Sequence, residues 1–142
     1  MATADNTRRH VAVDRTSPRT YTVTNDRGGT IAVGDGGGAT FTPVELLLTA
    51  IAACTAIDVD IVTTRRAEPD SFRVEASATK VRDTFGSHLT DIAVTFKVAF
   101  PGGPDGDQAR EILPDIVQRS HDRLCTVSRT VELGTPVTPR IE

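Results

Sequence analysis

The order of apolar and polar residues along the chain separates two kinds of segment. In the first kind, apolar and polar residues alternate, which is typical of a strand with one buried face. In the second kind, apolar residues recur every three or four positions or fill the segment, which is typical of a helix. This pattern and the β-branched residues predict strands at residues 10–14, 19–24, 30–33, 71–80, 90–100 and 127–137. Helices are predicted at about residues 42–66 and 107–124.

The predicted order is three strands, a helix, two strands, a second helix and a last strand. Strands joined by short turns, such as the Asn-Asp-Arg-Gly-Gly segment at 25–29, pair as antiparallel hairpins. We therefore predict the α+β class with mostly antiparallel sheets. A disordered leader is expected over residues 1–9 and a single domain over residues 10–142, a length that suits one core. Pro114 interrupts the second helix, which either kinks there or becomes regular only near that residue.

The first predicted helix begins at a clear signal. Thr42 is suited to the N-cap, Pro43 to the first helical position, and Glu45 to closing a capping box. The helix is apolar on nearly every side, so we expect it to lie buried at the centre of the fold. Its apolar run, residues 46–54, is shorter than the roughly 20 residues that cross a membrane. No membrane association is therefore expected.

Composition narrows the function. The 142 residues carry a formal net charge of -3 and no cluster of Lys and Arg, which argues against binding to nucleic acid. No apolar segment follows the first charged residues, so no secretory signal is predicted and the expected location is the cytoplasm. The loop at 34–39 lacks the lysine of a phosphate-binding loop, and it is interpreted as a connector.

Two cysteines carry the candidate chemistry: Cys54 in the first helix and Cys125 at the end of the second. Each is either inert packing or a redox-active thiol, and a structural disulfide is disfavoured in a reducing cytosol. His121 stands four residues before Cys125, a spacing that metal sites use. Zinc normally takes three or four protein ligands, so no metal is expected here.

The pattern P-x-E-L-L-L-x-A-x-A-A-C-T-A-I-D-V from Pro43 to Val59, with a second cysteine at Leu124-Cys125, resembles the OsmC/Ohr superfamily. The resemblance implies an OsmC-like fold and an intertwined homodimer whose central helices pack across the interface. It also implies an antioxidant peroxidase of the oxidative stress response that needs no cofactor and reduces organic hydroperoxides.

Carried over to this chain, the resemblance makes Cys54 the peroxidatic cysteine and Cys125 the resolving one. Cys54 would form a sulfenic acid, Cys125 would condense with it to a disulfide, and an external dithiol would reduce the product. The peroxidase branch has a functional glutamate one position earlier in the motif, where this chain has Val44, so Glu45 is the candidate substitute. Its thiolate-holding arginine is matched best by Arg15, with Arg19 as the alternative.

The substrate pocket is expected to be apolar, lined by Leu47, Ile51 and residues of the partner subunit. Such a pocket favours alkyl hydroperoxides over hydrogen peroxide. The alternative function is a non-catalytic protein that binds a small apolar ligand on the same scaffold, with both cysteines as packing.

Overall fold

The computed structural model describes residues 7–142, so the first six residues of the predicted leader lie outside the described part of the chain. The chain forms two compact units, one ending at Leu47 and the other spanning Leu48–Glu142. The single domain over residues 10–142 stays a prediction. The strands are β1 Val11–Ser17, β2 Thr20–Asn25, β3 Thr30–Val33, β4 Ser71–Asp83 and β5 Gly86–Ala99. The helices are α1 Pro43–Thr63, α2 Pro104–Arg119 and α3 Thr126–Leu133, with a π-helical turn, Ser120–Leu124, before α3.

The first unit contains a three-stranded antiparallel sheet in the order β1-β2-β3. The turn between β2 and β3 has the predicted chemistry: the Asn25 side-chain oxygen accepts the backbone N–H groups of Arg27 and Gly29 at 3.0 and 2.9 Å. Gly28 between them has φ 90°, a conformation that glycine adopts without strain. The three strands predicted here are thus confirmed, with shifts of a few residues at their ends.

The capping box at the start of α1 is confirmed. The backbone N–H of Glu45 donates to the Thr42 hydroxyl at 3.2 Å, and the Thr42 N–H donates to the Glu45 carboxylate at 2.9 Å. The regular helix ends at Thr63, slightly before the predicted end near residue 66. Turn hydrogen bonds continue beyond it to Ala67.

The prediction that α1 is buried on every side is wrong for a single chain. One residue per turn is buried, in the series Ile51, Thr55, Val59 and Thr63. Ile57 and Ile61 lie on another side and are 60% and 51% exposed. With 21 residues, α1 is long and apolar enough to span a membrane, a test that core helices of soluble proteins also pass. The expectation of no membrane association rested on the shorter run 46–54 and stays a prediction.

A long antiparallel hairpin, β4–β5, follows α1 in the second unit. Its strands extend further than predicted, because backbone pairing continues through the exposed polar residues near the turn. The turn is held by the Asp83 carboxylate, which accepts the Phe85 N–H at 2.8 Å, and by Gly86 at φ 92°. The hairpin confirms the predicted α+β class with antiparallel sheets.

The end of the chain differs from the prediction. Helix α2 begins already at Pro104 and continues through Pro114. The strand predicted at 127–137 is wrong, because residues 126–133 form α3. Cys125 caps its start, where the sulphur accepts the Ser128 N–H, and Gly134 ends it at φ 64°. These two end signals outweigh the strand preference of the β-branched residues between them.

Candidate functional site

The second unit brings the two cysteines together. Cys54 lies near the middle of α1, and Cys125 is the N-cap of α3. Both are free thiols, and their side chains interact with each other. Two interacting thiols suit reversible disulfide chemistry more than inert packing.

Cys125 lies in a buried site rich in hydrogen-bond donors. Its side chain has no exposed surface. The Ser128 N–H donates to its sulphur at 3.4 Å, and the Ser128 hydroxyl lies 3.3 Å from it. Burial opposes ionisation, but the hydrogen bonds from Ser128, Cys54 and the Val127 N–H outweigh it and lower the pKa of Cys125. Cys125 is therefore the more acidic thiol of the pair.

Cys54 has the opposite character. Burial raises the pKa of its thiol, and the hydrogen bond to Cys125 and the charges of Cys125 and Asp58 raise this pKa further. The Val127 N–H is the opposing influence and lowers it. Cys54 is nevertheless the more accessible of the two sulphurs, since it is only partly buried. Cys54 is thus the more accessible thiol of the pair, and Cys125 is the more acidic one.

A chain of hydroxyl groups ties the two segments together beside the cysteines. The buried Ser120 hydroxyl donates to the Asp58 carboxylate at 2.8 Å and shares a hydrogen bond of 2.7 Å with the Thr55 hydroxyl. Ser120 also begins the π-helical turn, and its carbonyl accepts the Cys125 N–H at 2.8 Å. This network fixes the start of the turn that delivers Cys125 to Cys54.

An open cavity of about 400 Å³ lies beside the pair. Its lining includes the apolar Ile51 and the polar Ser128, whose hydroxyl lies near the Cys125 sulphur; the role of Ile51 in binding substrate stays a prediction. Further lining comes from Thr55, Ile92, Val94, Phe96, Val117, Gln118, His121, Val131 and Glu132. The cavity can therefore receive an apolar molecule next to Ser128, the residue that contacts Cys125.

His121 also lines this cavity. Its ring nitrogens lie 3.0 Å from the Asp122 carboxylate and 2.9 Å from the Glu132 carboxylate, and these hydrogen bonds raise the pKa of the imidazole. Arg129 bonds Glu132 at 3.0 Å. Among residues 7–142, no group of three or more His, Cys, Asp or Glu side chains is arranged to hold a metal ion.

The other predicted site residues belong to the first unit, and their action on Cys54 stays a prediction. Glu45 closes the capping box, and hydrogen bonds from the Thr42 backbone and hydroxyl lower the pKa of its carboxyl. Arg15 is an exposed residue of β1, whereas Arg19 bonds Asp35 at 2.8 Å. Leu47 is 40% exposed.

The sequence prediction missed Ser120 and Ser128. The sequence carried only a weak signal for Ser128, because cysteine is not among the residues that usually cap a helix. It was hidden by the wrong strand assignment. Ser120 carried no signal, since its partners Thr55 and Asp58 lie more than sixty residues away.

The chain matches the family model of OsmC-like proteins over residues 34–140. An uncharacterized protein of Mycobacterium tuberculosis is 30% identical over 129 residues, which cover 88% of this chain and 90% of that protein. An OsmC-like protein of unknown function from Vibrio cholerae has the same fold, with a TM-score of 0.73 at 17% identity over 89% of this chain and 94% of that one. The organic hydroperoxide resistance protein OhrB of Bacillus subtilis superposes with a TM-score of 0.55 at 21% identity, over 87% of this chain and 90% of that one. By the family match and the mycobacterial relative, the chain belongs to the OsmC-like family of the OsmC/Ohr superfamily.

Proposed function

We propose that this protein is a thiol-dependent peroxidase that reduces organic hydroperoxides to alcohols with the Cys54–Cys125 pair. The observation that carries the proposal is a pair of free thiols that interact with each other, one partly exposed and one fully buried, beside a largely apolar cavity. Its relatives support the substrate class, since OhrB of Bacillus subtilis is an organic hydroperoxide resistance protein.

In the proposed reaction, the Cys54 sulphur attacks the outer peroxide oxygen. A sulphur–oxygen bond forms, the oxygen–oxygen bond breaks, and the alkoxide leaves and is protonated to the alcohol. Cys125 then attacks the sulfenic sulphur of Cys54, and the hydroxyl group leaves as water. The dithiol is thereby oxidised to a disulfide while the hydroperoxide is reduced. An external dithiol returns the pair to its reduced form.

The proposed working form is a cytoplasmic homodimer. The exposed apolar side of α1, with Ile57 and Ile61, supports an interface between two copies, because monomeric soluble proteins seldom expose large contiguous apolar patches. Arg15 remains the proposed partner of the Cys54 thiolate and Glu45 the proposed substitute for the functional glutamate, both carried over from the family pattern. Ile51 and Leu47 are the proposed apolar contacts of the substrate.

The test is intact-mass analysis of the reduced protein after one equivalent of cumene hydroperoxide, in wild type, Cys54→Ser and Cys125→Ser. We expect wild type to lose two mass units as the disulfide forms. Cys125→Ser should gain one oxygen on Cys54, because no second sulphur is present to resolve the sulfenic acid. Cys54→Ser should stay unchanged on the same timescale.

An unchanged mass in all three proteins would contradict the peroxidase. It would favour the alternative of a non-catalytic protein that binds a small apolar ligand, for which the cavity of about 400 Å³ is the supporting observation. Faster wild-type oxidation by hydrogen peroxide than by cumene hydroperoxide would contradict the proposed preference for alkyl substrates.

A further inference from the structure

Attack on a peroxide requires a sulphur that is accessible and that has lost its proton, and each cysteine of the pair meets one of these requirements. A peroxide arriving from outside meets Cys54 first, because Cys125 has no exposed surface. An attacking thiol must, however, lose its proton, and burial together with nearby negative charge keeps the proton on Cys54. Some group in contact with Cys54 therefore has to accept that proton as the attack proceeds.

Cys125 is the group whose surroundings suit this task. The Cys54 side chain interacts with the Cys125 side chain and lowers the pKa of Cys125, and the backbone N–H of Ser128 donates a hydrogen bond to the Cys125 sulphur at 3.4 Å. The Ser128 hydroxyl, 3.3 Å away, turns its hydrogen towards the sulphur once that sulphur is ionised. The positive end of the α3 dipole lies at the same position. A negative charge on Cys125 is thus stabilised without a cationic side chain.

The charged groups of the neighbouring elements are consistent with a proton on Cys54 and a negative charge on Cys125. On α1, the Asp58 charge disfavours a thiolate on Cys54. The part of β5 that lines the cavity beside the pair contributes the uncharged Ile92, Val94 and Phe96. The π-helical turn and α3 carry His121, Asp122, Arg123, Arg129 and Glu132, among which His121 pairs with both carboxylates and Arg129 with Glu132.

Resting on the peroxidase function proposed above, we propose that the Cys125 thiolate is the base that accepts the Cys54 proton during attack on the hydroperoxide. The proton moves from the Cys54 sulphur to the Cys125 sulphur while Cys54 bonds to the outer peroxide oxygen and the oxygen–oxygen bond breaks. The departing alkoxide takes the proton from Cys125 and leaves as the alcohol. The Cys125 thiolate, now regenerated, attacks the sulfenic sulphur, hydroxide leaves, and the disulfide forms. Cys125 therefore acts in the first step as well as in the second.

The experiment measures how fast reduced protein consumes limiting cumene hydroperoxide in a single turnover, from pH 5 to 10. This consumption reports the first step alone, so the loss of resolution in Cys125→Ser does not affect it. At pH 7 we expect Cys125→Ser to be slower than wild type by at least about ten-fold, the low end of general-base effects. Its rate should rise with pH and approach that of wild type where Cys54 ionises unaided.

Ser128→Ala gives a second, independent variant. Loss of one donor to the Cys125 sulphur should move the pH profile of hydroperoxide consumption to higher pH than in wild type. The rate at the alkaline limit should change little. A purely structural role of Ser128 would lower the rate at every pH instead. Thr130→Ala is the matched control, since this hydroxyl of the same helix donates at 2.7 Å to the Thr126 carbonyl. It should leave the profile unchanged.

The possible failures are distinguishable. If wild type consumes no hydroperoxide at any pH, the peroxidase function itself is wrong. If wild type consumes it and Cys125→Ser does so at the same rate and with the same profile, Cys125 only resolves and this inference is overturned. An oxygen adduct on Cys125 in Cys54→Ser, formed at the wild-type rate, would also overturn it, because Cys125 would then be the attacking sulphur.

Discussion

The ionisation of His121 couples the π-helical turn to α3. The imidazolium bonds Asp122 within the turn and Glu132 on the helix, and both contacts favour the protonated ring. The folded pKa is raised above the usual value of 6.5. The resulting stabilisation is therefore fully present below about pH 6.5 and is lost as the pH rises through the folded pKa.

We predict that His121→Gln lowers the free energy of unfolding at pH 6 by no more than about 1 kcal/mol, because the ring is half exposed and water screens the ion pairs. At pH 9 the two proteins should differ less. Urea unfolding at both pH values measures the difference. An equal difference at the two pH values would show that His121 acts by packing and not by charge.

Individual residues also show what the sequence could and could not predict. The cysteine pair and the role of Thr42 and Glu45 were predictable, because a specific motif or a local spacing encodes them. The acidity of Cys125 was not, since it depends on donors that become neighbours only when residues 126–133 form a helix. A wrong local assignment therefore concealed the surroundings of Cys125, whose catalytic role stays a prediction.

At the scale of elements, the π-helical turn is held to α1 by one buried hydroxyl. Ser120→Ala should cost about 1–3 kcal/mol of unfolding free energy, because it removes the partner of Thr55 and a donor to Asp58 in the interior. Urea unfolding measures the cost, and Ser87→Ala on the exposed part of β5 is the control, with an expected change below about 0.5 kcal/mol. In a Thr55→Val background, Ser120→Ala should cost less, since the shared hydrogen bond is already absent. If the effects of the two substitutions on the unfolding free energy are fully additive, the proposed hydrogen-bond network of Thr55 and Ser120 is contradicted.

The start of α2 depends on a close approach between the helix and the loop before it. A Cβ at the buried Gly106 would overlap the Pro101 carbonyl oxygen, so the backbone must move to accept a side chain. We predict that Gly106→Ala destabilises the protein by about 2 kcal/mol or more. Gly102→Ala in the same loop, where a Cβ meets nothing within 4 Å, should be nearly neutral. Equal midpoints for the two variants in thermal unfolding would contradict this close approach.

The strand pattern and the helix pattern were not equally reliable guides to these elements. Alternation predicted the hairpins because their two faces meet different environments, as in β4 with its half-buried Phe72 and exposed Arg73. The segment 126–133 alternates less clearly and is rich in β-branched residues, so its propensity favoured a strand. Its capping signals at Cys125 and Gly134 decide for the helix, and they can be read from sequence only when the helix is already suspected.

At the scale of the whole molecule, one side of α1 is an apolar stripe that is exposed among the described residues 7–142. Ile57 and Ile61 are four residues apart, so they lie on one side of the helix, and each is more than half exposed. The sequence predicted a helix buried on every side, and a second copy of the chain would make that prediction correct for the assembly. The error for the single chain is therefore itself an argument for the proposed homodimer.

We predict that the protein sediments at twice the mass of one chain and that Ile57→Asp or Ile61→Asp shifts it to the monomer. A carboxylate at either position would have to be desolvated in an apolar interface without a partner, which costs several kcal/mol in each subunit. Val137→Asp is the control, because this residue is 92% exposed in the segment after α3 and the added charge stays in water. Analytical ultracentrifugation over a hundred-fold range of concentration measures the mass. A wild-type monomer throughout that range, or a dimer that survives both substitutions in α1, would contradict an interface built on this helix.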